Sequence, residues 1–230
     1  MTVIFDGDDT LWSTEALYDR ARAEARRIVS AAGQDGAAWE ALERRLDVEN
    51  VGAMGYSPDR FPTSCVQAYA QICAAAGAAP DVDVVERVRR AAASVFDEEA
   101  PVVAGAEETL AALRARGARL ALLTKGHPEV QARRVERSGL AKYFDMIEIV
   151  TDKSERTIID LVHALGADVA DAWMVGNSMR SDVLPALAAG LRAIWIDAHV
   201  WEHERTHDHL RDERAITAAR LSDVADLLAS

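Results

Sequence analysis

Short apolar runs that alternate with helical patterns are the feature of this sequence that most constrains its fold. Five runs are rich in β-branched or aromatic residues and are bounded by turn residues, which predicts strands at Val3–Phe5, Leu120–Leu123, Met146–Val150, Trp173–Val175 and Ala193–Ile196. Helical patterns separate the later strands, and each is followed by a glycine: Ala106–Arg116, Glu129–Ser138, Glu155–Leu165 and Ser181–Ala189. Strands that alternate with helices form βαβ units, so we expect an α/β fold with a doubly wound parallel sheet.

A long helical segment interrupts this alternation after the first strand. Its turn residues divide it into four helices, predicted at Glu15–Ala32, Ala37–Val51, Thr63–Ala76 and Val82–Phe96. Four helices in one insertion predict a small bundle. We therefore expect a helical domain over residues 14–98, inserted into an α/β core domain that comprises residues 1–13 and 99–230.

The net charge disfavours several classes of partner. Asp and Glu number 38 against 26 Lys and Arg, which gives a net charge of −12. Such a surface repels phosphate polymers and anionic bilayers, so we expect no nucleic acid and no membrane as a partner. No apolar run approaches the ~20 residues of a membrane span, and the first residues lack the basic start of a signal peptide. With only two cysteines, Cys65 and Cys73, the chain is expected to be cytoplasmic, and its oligomeric state stays unknown.

Residues that can carry chemistry follow four of the predicted strands. In an open parallel sheet, ligands bind beyond the carboxyl ends of the strands. The residues at these positions are Asp6, Gly7, Asp8, Asp9 and Thr10; Thr124, Lys125 and Gly126; Asp152 and Lys153; and Gly176, Asn177, Ser178 and Asp182. Carboxylates crowded at one strand end cost electrostatic energy unless a cation offsets them, and oxygen ligands suit Mg²⁺. For Asp9 alone, a turn or capping role is the preferred interpretation.

These four segments resemble the motifs of the haloacid dehalogenase (HAD) superfamily. An apolar strand followed by Asp-x-Asp-x-Thr stands here as Val3 to Leu11, and a strand that ends in Thr stands as Leu122 to Gly126. Lys153 matches the third motif, and Val175 to Ser178 together with Ser181-Asp182 matches the fourth. The helical insertion resembles the superfamily's type 1 cap on a Rossmann-like core. The resemblance covers nearly the whole chain and points to the branch of small-molecule phosphatases.

The resemblance implies a role for each residue of the site. Asp6 would attack phosphorus and form an aspartyl-phosphate, and Asp8 would serve as acid and then as base. The phosphoryl oxygens would be bound by Thr124, the backbone amide of Lys125 and the ammonium of Lys153. The implied Mg²⁺ ligands are Asp6, the Asp8 carbonyl, Asn177 and Asp182. Most members of the superfamily carry an Asp where Asn177 stands, so this site has one less negative charge.

The expected substrate is a small phosphorylated metabolite. Thr10, Lys125 and Gly126 belong to its predicted binding site because they lie in the strand-end loops. Trp12 follows the nucleophile loop and either lines the pocket or packs in the core. Arg60 and Phe61 lie in a predicted loop between two helices of the insertion, where they are candidates for contact with the substrate.

Three alternatives remain open at this stage. A phosphomutase of the same superfamily keeps both aspartates, whereas its dehalogenases lack the acid at the position of Asp8. The segment from His203 to His207 matches H-E-x-x-H, the motif of zinc metalloproteases, and lies in a cluster of four histidines: His199, His203, His207 and His209. We interpret this segment as a solvated connecting helix. The third alternative is a phosphate-binding protein without catalysis, which the presence of Asp6 and Asp8 disfavours.

Overall fold

The computed structural model describes residues 1–198, 201 and 212–229. They group into two compact units: a sheet unit, Met1–Glu15 with Ala100–Ser230, and a helical unit, Ala16–Glu99. The helices of the described residues are α1 Glu15–Ala31, α2 Gly36–Met54, α3 Arg60–Ala75, α4 Val82–Ala93, α5 Ala106–Ala115, α6 Pro128–Ser138, α7 Glu155–Ala164, α8 Leu184–Ala188 and α9 Val224–Leu227. None of these helices has the length and apolar character needed to cross a membrane.

One parallel sheet organises the sheet unit. Its described strands are β1 Thr2–Phe5, β2 Arg119–Lys125, β3 Met146–Val150, β4 Ala172–Gly176, β5 Arg192–Ile196 and β6 Ala215–Ala218. They lie in the order β3-β2-β1-β4-β5-β6, and every neighbouring pair is parallel. The predicted doubly wound α/β fold is therefore confirmed. The sequence prediction missed β6, the strand at one edge of the sheet.

The central strands are buried on both faces, which explains their continuous apolar character. Val3 and Phe5 of β1 belong to the core on one face, together with Leu110 of α5. Ile4 points to the opposite face, where it joins Ile158 of α7 and further buried residues. This alternation follows from the two-residue period of a strand.

The register of the sheet brings several strand ends together. Phe5 is paired with Leu122 of β2 on one side and with Val175 of β4 on the other. The backbone N–H of Asp6 continues the ladder by donating to the Val175 carbonyl at 2.9 Å. The loops that follow β1, β2 and β4 therefore begin side by side, at the edge of the sheet that is formed by the carboxyl ends of the strands; we call this the strand-end edge.

In the helical unit, α3 packs against both α2 and α4. Its start differs from the prediction, because α3 begins at Arg60 rather than at Thr63. Proline commonly breaks a helical pattern, but Pro62 lies in the first turn of α3, where its missing N–H has no partner to lose. The predicted loop position of Arg60 and Phe61 is therefore wrong.

Candidate active site

Asp6 lies at the centre of the strand-end edge and is almost fully buried, with 6% of its surface exposed. The ammonium of Lys153, which follows β3, forms an ion pair with the Asp6 carboxylate. The same ammonium lies 2.7 Å from Oδ1 of Asp182, and both Lys153 and Asp182 are buried. One buried cation thus bridges two buried carboxylates that are distant in the sequence.

The electrostatic balance of this cluster is reflected in two pKa shifts. Burial, followed by the negative charge of Asp182, raises the pKa of Asp6 to about 7, although Lys153 opposes the shift. Burial alone would lower the pKa of Lys153, but the charges of Asp182 and Asp6 outweigh it and raise that pKa. The ammonium therefore stays charged, and it is shared by two carboxylates.

Asp182 is held by the loop that follows β4. Its Oδ2 accepts a hydrogen bond from the backbone N–H of Ser178 at 2.9 Å. Asp182 lies in a π-helical turn, Met179–Val183, which leads into α8 and replaces the start of the predicted helix Ser181–Ala189. A Cβ atom at Gly176 would lie 2.3 Å from Oδ2 of Asp182, so only glycine permits this approach of the carboxylate to β4.

The side chain of Asp8 accepts hydrogen bonds from three donors. Nε1 of Trp12 donates to Oδ1 at 2.6 Å. Nε2 of Gln131 and Nη1 of Arg134 donate to Oδ2 at 2.8 and 2.7 Å. Trp12 is buried in the core of the sheet unit, and its indole N–H points at Asp8. Gln131 and Arg134 were missed by the sequence prediction, and their one signal is an i, i+3 spacing on α6, the helix that follows the Thr124 loop.

Two buried threonines lie in the strand-end loops. Oγ1 of Thr124 donates to Oε1 of Gln131 at 3.1 Å, and Oγ1 of Thr10 donates to Oδ1 of Asn177 at 3.3 Å. These contacts place a residue of the loop after β1 against the β4 loop, and a residue at the end of β2 against α6. The residues predicted at separate strand ends are thus connected through side-chain hydrogen bonds.

Lys125 and Gly126 lie next to Thr124 in the β2 loop. Nζ of Lys125 contacts Oγ of Ser181 at 2.6 Å, so its ammonium points towards the β4 loop. A Cβ atom at Gly126 would lie 2.8 Å from Nε2 of Gln131, which makes glycine necessary for the close approach of α6. Both residues of the predicted substrate site therefore lie at the same edge of the sheet as Asp6.

The donor atoms at this edge are oxygens. The carboxylates of Asp6 and Asp182 share one ammonium, so a single cation reaches both. Asn177, whose Oδ1 accepts a hydrogen bond from Thr10, adds an amide oxygen from the β4 loop. Among the described residues, no group of three or more His, Cys, Asp and Glu side chains is arranged to hold a metal ion. Carboxylate and amide oxygens suit a hard cation, and at this site two carboxylates face a single ammonium.

Asp9 occupies a structural position beside the site. Its backbone is left-handed, with φ of 60°, and its carboxylate accepts from the backbone N–H groups of Thr14 and Glu15 at 2.8 and 3.0 Å. These bonds cap the start of α1, which agrees with the turn or capping role that we expected.

Arg60 and Phe61 are interior residues of the helical unit. Arg60 forms a buried ion pair with Asp47 at 3.5 Å. Phe61 has no exposed surface and packs edge-on against Tyr18, with ring centroids 5.1 Å apart. Their predicted contact with substrate assumed an exposed loop, which the start of α3 at Arg60 removes. The segment from His203 to His207, and with it His199 and His209, lies outside the described residues.

Residues 1–190 match the family model of the haloacid dehalogenase-like hydrolases. The chain therefore belongs to the haloacid dehalogenase-like hydrolases, which confirms the resemblance of its four motifs. A crystal structure of a haloacid dehalogenase-like family hydrolase from Xanthomonas campestris covers 100% of this chain and 94% of its own, with a TM-score of 0.82 and 26% identity.

Two curated relatives are phosphatases. The chain is 36% identical to the phosphoserine phosphatase of Thermus thermophilus over 129 residues, which are 53% of this chain and 50% of that protein. It thus spans about half the length of this relative. It is 26% identical to the glyceraldehyde 3-phosphate phosphatase of Methanothermobacter thermautotrophicus over 229 residues, which are 89% of each chain.

Proposed function

We propose that this protein is a Mg²⁺-dependent phosphatase that hydrolyses a small phosphomonoester through an aspartyl-phosphate intermediate. The observation that carries the proposal is the position of Asp6, buried at the end of β1 with Lys153 bridging it to Asp182. The names of the two phosphatase relatives support a small phosphorylated metabolite as substrate. Phosphomonoester hydrolysis needs a nucleophile, a proton donor and oxyanion ligands, and each has a candidate at this edge of the sheet.

The first half of the reaction transfers the phosphoryl group to Asp6. A carboxylate oxygen of Asp6 attacks phosphorus while the bond from phosphorus to the ester oxygen breaks. Asp8 donates a proton to the departing oxygen, which leaves as an alcohol. In the second half, water attacks phosphorus, its proton passes to Asp8, and the bond from phosphorus to Asp6 breaks. Inorganic phosphate leaves, and both aspartates return to their starting states.

The oxygens of the phosphoryl group need positive charge and hydrogen-bond donors. The buried ammonium of Lys153 supplies a charge that is already oriented, so little reorganisation is needed when charge develops. Thr124 supplies a hydroxyl and Lys125 a backbone N–H in the adjacent loop. Asn177, Asp182, Asp6 and the Asp8 carbonyl would hold Mg²⁺, which supplies screening between the phosphate dianion and the attacking carboxylate.

The helical unit is our proposed cap domain. The chain enters it at Ala16, soon after the Asp6 loop, and leaves it at Glu99, shortly before Pro101 and Val102 return to the sheet unit. An insertion at this point of the chain places its connections beside the nucleophile loop. We therefore assign to residues 14–98 the selection of the part of the substrate that does not react.

The test is a screen of the purified protein against a panel of phosphorylated metabolites and para-nitrophenyl phosphate, with and without Mg²⁺, read as release of inorganic phosphate. We expect release that depends on Mg²⁺ and is lost in Asp6→Asn, because an amide does not attack phosphorus. Asp171→Asn is the matched control, since Asp171 is exposed and precedes β4 at the opposite end of the strand. Full turnover in Asp6→Asn would contradict the proposed nucleophile.

A further inference from the structure

We propose that Gln131 and Arg134 are positioning residues that orient the Asp8 carboxylate for proton transfer, an inference that rests on the proposed phosphatase reaction. Both residues belong to α6, which is remote in the sequence from Asp8. Their side chains converge on a single oxygen, Oδ2 of Asp8, at 2.8 and 2.7 Å. Neither residue belongs to the four strand-end motifs.

The two carboxylate oxygens of Asp8 accept different numbers of hydrogen bonds. Oδ2 accepts from two donors, which use both of its lone-pair directions. Oδ1 accepts only one described hydrogen bond, from Nε1 of Trp12 at 2.6 Å. The geometry therefore points to Oδ1 as the oxygen that carries the transferred proton. The carboxylate is held from both sides, so it does not rotate freely in search of the leaving group.

Gln131 connects Asp8 to the predicted phosphoryl site. Its side chain is 2% exposed, and its Oε1 accepts from Oγ1 of Thr124 at 3.1 Å. Its Nε2 donates to Asp8 and also to the carbonyl of Lys125 at 3.2 Å. Because the amide faces a hydroxyl on one side and two acceptors on the other, its orientation is fixed by its partners. One amide thus sets the relative positions of the acid–base residue and the Thr124 loop.

Arg134 adds a charge to this arrangement. In its ion pair with Asp8, the arginine side chain is 10% exposed and the aspartate side chain 29% exposed. Holding a guanidinium so far from water is costly unless a carboxylate compensates it. The adjacent Arg133 lies on the exposed face of α6, so this helix carries one arginine that is exposed to solvent and one that is largely shielded from it.

The test separates proton donation from general damage by the choice of leaving group. The leaving group of glycerol phosphate is the alkoxide of glycerol, which needs a proton, whereas that of para-nitrophenyl phosphate is para-nitrophenolate, which is stable enough to leave without one. We expect Arg134→Met and Gln131→Met to lower kcat/KM for glycerol phosphate by about tenfold or more. For para-nitrophenyl phosphate we expect a loss of less than about threefold in kcat/KM, with KM nearly unchanged for both substrates.

Four further variants complete the design. Asp8→Asn is the reference for loss of the acid, Arg133→Met is the matched control, and Arg134→Lys is expected to restore part of the lost rate because it keeps the charge. Because glutamate has nearly the shape of glutamine, Gln131→Glu replaces Gln131→Met if the methionine variant does not fold. Gln131→Glu is expected to reproduce the selective loss, because the Nε2 donor is absent.

Two results would overturn the inference in different ways. The first is a selective loss in Asp8→Asn while the Gln131 and Arg134 variants lose equally on the two substrates, or change in KM alone. This result would contradict the positioning role, and the proposed function would stand. Equal losses in Asp8→Asn itself, or no phosphate release from either substrate by the wild type, would contradict the proposed function and the inference with it.

Discussion

The sheet unit and the helical unit both bury charged side chains, but they balance them differently. At the strand-end edge of the sheet unit, Lys153 is the cation that two buried carboxylates, Asp6 and Asp182, share. Burial and Asp182 therefore raise the pKa of Asp6 to about 7. This cluster holds an excess of negative charge that a bound cation would offset.

In the helical unit, the buried charges occur as pairs between helices. Arg22 lies 2.7 Å from Glu43, and Arg60 lies 3.5 Å from Asp47. Here two arginines face two carboxylates, so the positive and negative side chains are equal in number, although burial raises the pKa of Glu43 to about 7 as well. The comparison teaches that burial alone does not indicate a reactive site. An excess of buried carboxylates over cations at a strand end is the stronger indication.

Removal of Lys153 should have the largest effect because it increases the imbalance in the sheet unit. We expect Lys153→Met to lower kcat by about 100-fold or more, since it removes a charge that binds the phosphoryl oxygens. We also expect a lower melting temperature, because Asp6 and Asp182 lose their shared cation, and partial recovery of that temperature with Mg²⁺. Lys142→Met, which removes an exposed lysine, is the control. Equal melting temperatures and equal turnover in the two variants would contradict the difference that we describe between the two units.

A methyl group at Gly176 should displace Asp182 from the sheet unit cluster. Since a Cβ atom there would lie 2.3 Å from the carboxylate, Gly176→Ala is expected to lower kcat by about tenfold and the free energy of unfolding by about 1–3 kcal/mol. Gly52→Ala is the control, because nothing lies within 4 Å of its added Cβ. Denaturant unfolding and phosphate release measure the two effects, and an unchanged Gly176→Ala protein would show that this close approach is not needed.

The helical unit offers a test by pH. Burial raises the pKa of Glu43 from 4.5 to about 7, although Arg22 opposes the shift. The folded state then binds this proton more tightly than the unfolded state, so the stabilisation is complete below pH 4.5 and is lost as the pH rises through about 7. From pH 5 to pH 8 we expect the wild type to lose about 1–3 kcal/mol more than Glu43→Gln.

The control for this series is Glu49→Gln, an exposed glutamate on the same helix. Its curve of unfolding free energy against pH should run parallel to that of the wild type. Glu43→Gln keeps nearly the shape of the protonated glutamate and does not titrate, so its weaker dependence on pH is what tests the shift. Parallel curves for Glu43→Gln and the wild type would contradict the raised pKa.

The smallest effect is expected where one negative charge is added to the sheet unit. Asn177→Asp should tighten Mg²⁺ binding several-fold, because the oxygen that replaces the amide carries charge. Isothermal titration calorimetry measures this affinity without turnover. Ala78→Asp, which adds the same charge at an exposed position of the helical unit, should leave it unchanged. Unchanged or weaker binding in Asn177→Asp would place residue 177 away from the metal.

Much of this site was predictable because parallel strands end at one edge. Strand patterns place Asp6, Thr124, Lys153 and Asp182 at that edge without any knowledge of their contacts, and the structure brings Lys153 to both carboxylates. Gln131 and Arg134 were not predictable in this way. They lie inside a helical pattern, and their role depends on how α6 packs against the β1 loop.

The fold prediction failed where local signals compete or are weak. β6 has the sequence AITA, in which Ile216 is the one strongly apolar residue, and such a run is insufficient to predict a strand. The ion pairs of the helical unit were also missed, because a buried arginine such as Arg22 looks the same in sequence as an exposed one. Burial of a charged residue is decided by tertiary packing, which periodicity alone does not specify.

Direct detection of a phosphorylated Asp6 tests the central claim, that Asp6, one of two buried carboxylates that share a single ammonium, is the nucleophile. Asp8→Asn should accumulate the intermediate with para-nitrophenyl phosphate, because the leaving group needs no proton while the attacking water lacks its base. After acid quenching, reduction with borohydride converts an aspartyl-phosphate to homoserine, which mass spectrometry locates in the N-terminal peptide. We predict homoserine at position 6 and at no other aspartate. A phosphoryl adduct on any other side chain, with Asp6 unmodified, would contradict the account.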